Sequence, residues 1–134
     1  SFAVEEKSIP IDGDIRVSLT VANTGKREGD ALVQVYIRDN YSQLVRPVME
    51  LKAFRRVTLK SGQKAKLSFR IPSDMLQYTG RDGKRMVEGG TFDIMIGNSS
   101  RNILFRETVT VEGGVRYLES DWKMLSTCDV SYLN

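Results

Sequence analysis

An all-β sandwich of about seven strands in two antiparallel sheets is what this sequence predicts, on three observations. Apolar residues recur at every second position over several runs, as they do when one face of a strand is buried. Glycine, asparagine and proline interrupt those runs at short intervals. No long amphipathic helical stretch lies between them, so a parallel α/β sheet is not expected.

The elements follow in order. Ile15, Val17, Leu19 and Val21 alternate with Arg16, Ser18, Thr20 and Ala22, and Asn23-Thr24-Gly25 ends that strand at a turn. Ala31 to Arg38 is the next strand. Val33, Val35 and Ile37 form one face and Leu32, Gln34, Tyr36 and Arg38 the other, and bulk on both faces predicts a central position. Asp39 to Arg46 reads as a polar loop before Pro47, which cannot donate to a strand ladder. Leu51, Phe54, Val57 and Leu59 make a less regular segment. After the turn Lys60-Ser61-Gly62-Gln63, Ala65, Leu67, Phe69 and Ile71 alternate with Lys64, Lys66, Ser68 and Arg70, the cleanest period-two run in the chain. Pro72 closes it. Ser73 to Leu76 reads as one helical turn with Ser73 as N-cap. Asp82-Gly83 signals a hairpin and Gly89-Gly90 a break. Phe92, Ile94 and Ile96 form a strand ending at Gly97, and Ile103 to Val111 form the last one. The sandwich is thus expected over residues 1–111. Residues 112–134 form a tail, read as either a short helix or an extended segment packed on the sandwich.

Composition narrows the function. A chain of 134 residues suits one domain, and buries roughly two thirds of its unfolded surface. Twenty basic and 17 acidic residues leave a net charge of +3, scattered rather than gathered on a stripe, so no nucleic-acid partner is predicted. No apolar run approaches the roughly 18 residues of a membrane span, so no membrane partner is predicted either. Cys128 is the only cysteine and cannot form an internal disulfide. Histidine is absent altogether, which removes the commonest general base and the commonest metal ligand. The reading is a non-catalytic module with no metal and no cofactor.

Four blocks then carry a family resemblance over Ile15 to Val111. They are Val21-Ala22-Asn23-Thr24-Gly25 with Gly29; Val33-Gln34-Val35-Tyr36-Ile37; Arg46-Pro47-Val48-Met49-Glu50-Leu51-Lys52-Ala53-Phe54 with Val57 and Leu59; and Glu88-Gly89-Gly90-Thr91-Phe92 followed by Ile96-Gly97-Asn98-Ser99-Ser100. In order and at this spacing they resemble the fibronectin type III-like domain, an immunoglobulin-like sandwich, that follows the catalytic domains of family 3 glycoside hydrolases, the β-glucosidases and β-xylosidases. Ala53, where that family usually has glycine, Ser61, where it usually has proline, and Gly89 depart from its pattern at turn or packing positions. The resemblance implies that the catalytic carboxylates lie in upstream domains. It also implies that the partner is the catalytic part of the same parent chain, with oligosaccharide substrate at the edge, and that the location is periplasmic or secreted.

Tyr41, Arg46, Pro47 and Met49 are placed on the long loop and are the candidates for contact with catalytic domains or the substrate entrance. Glycosidase chemistry needs two carboxyl groups about 5–10 Å apart. Glu50 and Glu88 are the acidic residues inside the blocks, but Glu50 beside Arg46 and Lys52 reads as an ion pair holding a loop and Glu88 as a residue that precedes a turn. Ser120-Asp121-Trp122 matches the context of the family's catalytic aspartate, yet falls in the tail, far from any barrel. Arg81, Lys84 and Arg85 read as a solvated hairpin tip. Asn40-Tyr41-Ser42 and Asn98-Ser99-Ser100 match the glycosylation pattern. The alternative function is a carbohydrate-binding module, with Tyr41, Tyr78 and Tyr117 as candidate sugar platforms, or a generic cell-surface interaction domain.

Overall fold

The computed structural model describes residues 2–40, 49–79, 83–99, 102–118 and 125–133. Ten strands form among them: β1 (Phe2–Val4), β2 (Ser8–Pro10), β3 (Asp14–Ala22), β4 (Gly29–Asp39), β5 (Met49–Leu59), β6 (Lys64–Pro72), β7 (Tyr78–Thr79), β8 (Arg85–Ser99), β9 (Asn102–Tyr117) and β10 (Thr127–Leu133). Seven of the ten are long, and β1, β2 and β7 have three residues or fewer. One sheet runs β1-β3-β6-β10; the other runs β2-β9-β8-β4-β5, with β7 paired to β8 off this path. Every pairing is antiparallel except that of β2 with β9. The expected all-β sandwich is the architecture found.

The alternation seen in the sequence places the core. Ile15, Val17 and Leu19 of β3, and Leu67, Phe69 and Ile71 of β6, are buried and face one way. Val33, Val35 and Ile37 of β4, Ile94 and Ile96 of β8, and Val109 and Val111 of β9 meet them from the other sheet in one cluster. Strand β4 lies between β5 and β8, the central place that its two apolar faces suggested.

Asn23 explains why its turn has the residues it has. Its side-chain amide donates to the carbonyls of Arg27 (2.7 Å) and Leu59 (2.9 Å), and its side-chain oxygen accepts from the Gly25 N–H (2.9 Å). Its main chain pairs with Gln63 and Gly62. One side chain thus ties the β3–β4 turn to the end of β5 in the opposite sheet. An aspartate could not donate these bonds.

Three expectations are corrected. Ser73 is not an N-cap. It is the first residue of the 3₁₀ turn Ser73–Leu76, Pro72 stands at the cap, and the Ser73 hydroxyl donates to the Ile11 carbonyl instead (2.7 Å). Gly89-Gly90 does not break the chain. It forms a β-bulge inside the continuous strand β8, where a Cβ on Gly89 would run into the Gly113 carbonyl oxygen. The strand expected to stop at Gly97 continues to Ser99. Strands β7 and β8 do pair antiparallel, and Gly83 stands at φ 78°; Asp82, the other half of the expected turn, lies outside the described residues.

Beyond residue 111, β9 continues to Tyr117, and Thr127–Leu133 add strand β10 to the free edge of β6. Arg116 locks this extension to the far end of the sandwich. Its guanidinium donates to the Ile11 carbonyl (3.2 Å) and the Ser73 hydroxyl (3.2 Å) and pairs with the Asp74 carboxylate. Arg116→Ala is expected to lower stability by about 1–2 kcal/mol, because three acceptors lose a charged donor at once. A thermal melt checks this, and an unchanged midpoint would show that the clasp contributes nothing.

Candidate functional surface

The two sheets differ in what they turn outward. On the four-stranded sheet the outer rows Arg16–Arg70–Thr127 and Ser18–Ser68–Asp129 are polar across β3, β6 and β10, with Ala3 of β1 beside Ser18. On the six-stranded sheet the outer rows are Met49–Arg38–Asp93–Thr108 and Leu51–Tyr36–Met95–Arg106. Phe54, opposite Gln34, continues that face. Tyr36 and Met95 are buried although neither belongs to the core cluster between the sheets.

The first of these rows is built around Asp93, which is 7% exposed. One carboxylate oxygen accepts from the Arg38 guanidinium at 2.6 Å. The other accepts from the Asn40 amide at 3.0 Å and the Thr108 hydroxyl at 2.9 Å. Burial by itself would raise the Asp93 pKa, but the bonds from Asn40, Arg38 and Thr108 outweigh it and hold the carboxyl below its ordinary value. Asn40 is pinned further by its main-chain N–H to the Thr91 carbonyl (3.1 Å). The network therefore fixes the end of β4, from which the chain leaves for residues 41–48. It also occupies the Asn40 side chain, which the glycosylation pattern had marked.

Of the residues singled out in the sequence, Tyr41, Arg46 and Pro47 lie outside the described residues. Met49 opens β5 directly opposite Arg38, in the Asp93 row. Glu50 makes the expected local ion pair with Lys52, at 3.5 Å. Glu88 lies within β8 opposite Val115 and precedes a β-bulge rather than a turn. Ser120, Asp121, Trp122 and Arg81 are outside the described residues. The sugar-platform reading gains no support from Tyr117, whose ring carries the Lys84 ammonium 5.6 Å from its centroid. Among the described residues no three histidine, cysteine, aspartate or glutamate side chains gather closely enough to hold a metal ion. Arg38, Asp93 and Thr108 were not picked out in the sequence. The available signal was a carboxylate flanked by Phe92 and Ile94, one strand away from an arginine.

Comparison with known proteins bears on what such a surface serves. The fibronectin type III-like domain family matches residues 31–100. A β-xylosidase from Formosa agariphila is 43% identical over 98 residues, which are 73% of this chain and 14% of that protein. A periplasmic β-glucosidase from Salmonella typhimurium is 38% identical over 92 residues, 69% of this chain and 12% of its own. Among solved structures, β-glucosidase 3B from Thermotoga neapolitana, in complex with α-D-glucose, superposes with a TM-score of 0.76 at 30% identity, covering 90% of this chain and 16% of that one. The chain thus spans only about one eighth to one sixth of the length of these proteins. With more than half of its length matched in sequence and its two-sheet architecture shared with these structures, the chain belongs to the fibronectin type III-like domain family.

Proposed function

We propose that this chain is a non-catalytic accessory domain of a longer β-glucosidase- or β-xylosidase-like enzyme, and that it packs on the catalytic domains and stabilises them. The observation that carries this reading is the coverage: curated glycosidases match most of this chain with only 12% to 15% of their own length. Hydrolysis, with its paired carboxylates, then belongs to the remaining polypeptide. Residues Tyr41, Arg46, Pro47 and Met49 are assigned to contacts with the catalytic domains, at the side where substrate enters. The position of Met49 at one end of the apolar outer face supports this. A periplasmic or secreted location fits the relative from Salmonella typhimurium, which is named as periplasmic.

Assays of this domain alone and of the full-length gene product on chromogenic β-glucosides and β-xylosides test the proposal. The full-length protein is expected to hydrolyse at least one of them, and the isolated domain none. Release of chromophore by the isolated domain above the buffer rate would overturn the non-catalytic assignment. Arg46→Ala in the full-length enzyme is expected to lower thermal stability or raise KM. If neither changes, Arg46 makes no such contact.

A further inference from the structure

We infer that the outer face of the six-stranded sheet is the surface by which this domain docks onto the rest of its own longer polypeptide, and that the covering surface is apolar with a carboxylate placed to meet Arg106. This rests on the accessory-domain reading above and specifies which face is used. Both sheets have an outer face, but only one is built to be covered. Leu51 is 45% exposed and Phe54 65%, and they stand beside Tyr36 and Met95 on neighbouring strands. Outer positions of a sheet that faces water are normally polar. The four-stranded sheet follows that rule in three successive rows across β3, β6 and β10, the third being Thr20–Lys66–Ser131; Ala3 at one edge and Ala22 and Leu133 in the next row are its apolar members. Tyr36 and Met95 are themselves buried, and exposed apolar side chains that adjoin such a row, Leu51 and Phe54, mark an interface.

Charge says what the cover looks like. Arg38 is neutralised by Asp93, and Lys52 by Glu50. Arg106 lies opposite Met95, in the apolar row itself, and has no partner among the described residues. A guanidinium at the end of an apolar row is desolvated when that face is covered, and needs a carboxylate from the covering side. A second copy of the same face would instead approach with its own free arginine and no free carboxylate in that row. The remainder of the polypeptide, which in the relatives is more than four fifths of the chain, supplies both the area and the missing acid.

Cysteine accessibility in the full-length protein tests the assignment. Single cysteines are placed at Phe54→Cys and, on the opposite sheet, Lys66→Cys, with Cys128→Ser and any other native cysteines removed, and labelled with a maleimide under native conditions. After normalisation to the unfolded rates, Phe54→Cys is expected to react about tenfold or more slowly than Lys66→Cys, since labelling would require the interface to open. Equal rates, or slower labelling at Lys66→Cys, would overturn the assignment. Hydroxyl-radical footprinting of Leu51 and Phe54 in the unsubstituted protein gives the same answer if a variant does not fold, with protection expected and full reactivity overturning it. Aryl β-glycoside hydrolysis by the same samples separates the two claims. An active enzyme with an open Phe54 face sinks only the docking face. An inactive one sinks the parent-enzyme reading, while the labelling still decides whether this face is covered.

Discussion

Replacing Phe69 with alanine is expected to cost about 3–5 kcal/mol of folding stability. Phe69 is 2% exposed and sits in β6, between Val17 of β3 and Cys128 of β10. The sheet that holds it is filled on its inner side by Ile15, Val17, Leu67 and Ile71, which are closely buried branched side chains. Such neighbours relax little into a vacated ring, so the loss is both the transfer free energy of the ring and the cavity it leaves. A domain of this size is stable by only about 5–15 kcal/mol in total. The variant should therefore unfold at much lower urea concentration, or not fold at all. Phe54→Ala is the control, because the same ring is 65% exposed there and its removal is expected to change stability by less than about 1 kcal/mol. Equal losses from the two substitutions in urea denaturation would contradict the inner and outer faces described above.

Those faces show which parts of the fold could be read in advance. Strands β3 and β6 have strict alternation because each is buried on one side and polar on the other, and period two is then visible in the residues themselves. Strand β5 looked irregular for a physical reason. A bulge opposite Val35 and Tyr36 inserts Lys52 as an extra residue, so the apolar phase shifts from Leu51 to Ala53 partway along. The double glycine of β8 looked like a break because sequence alone does not distinguish a turn from a bulge in which Gly89 is needed for close approach to Gly113. Strand β10 alternates Cys128, Val130 and Tyr132 with Thr127, Asp129 and Ser131, but the run is short and finds its place only on the edge of β6, a pairing across about half the chain.

The functional surface was less legible than the fold. Resemblance pointed at the loop that follows Asn40, and of its four candidates only Met49 has a described position. The Asp93 network escaped because its members come from three strands, and a polar residue in an alternating strand reads by default as solvent-facing. What distinguishes Asp93 is burial on the outer face, and burial there is a property of the assembled sheet. The same holds for Met95, which has an outward register and is nonetheless 1% exposed.

Asp93→Ala is expected to cost about 2–4 kcal/mol, because three donors lose their acceptor while the Arg38 charge, partly open to water, remains behind. Asp93→Asn tests the charge more narrowly. An amide has one acceptor oxygen and brings an N–H₂ group against donors, so Arg38, Asn40 and Thr108 cannot all be satisfied. The sign of the pH dependence follows from the direction of the shift. The folded-state pKa of Asp93 lies below its ordinary 3.8, so the stabilisation is fully present above that value and is lost as pH falls through the depressed folded value. The wild-type protein should lose stability below about pH 4 in part through this group, and Asp93→Asn should flatten that part of the profile. At neutral pH the same variant should be less stable than wild type. The damage should be concentrated where Asn40 leaves β4, seen as faster amide exchange at Asn40, whose N–H bonds to Thr91. An Asp93→Asn variant with wild-type stability at pH 7 and an unchanged acid profile would show that the network does not hold the end of β4 in place.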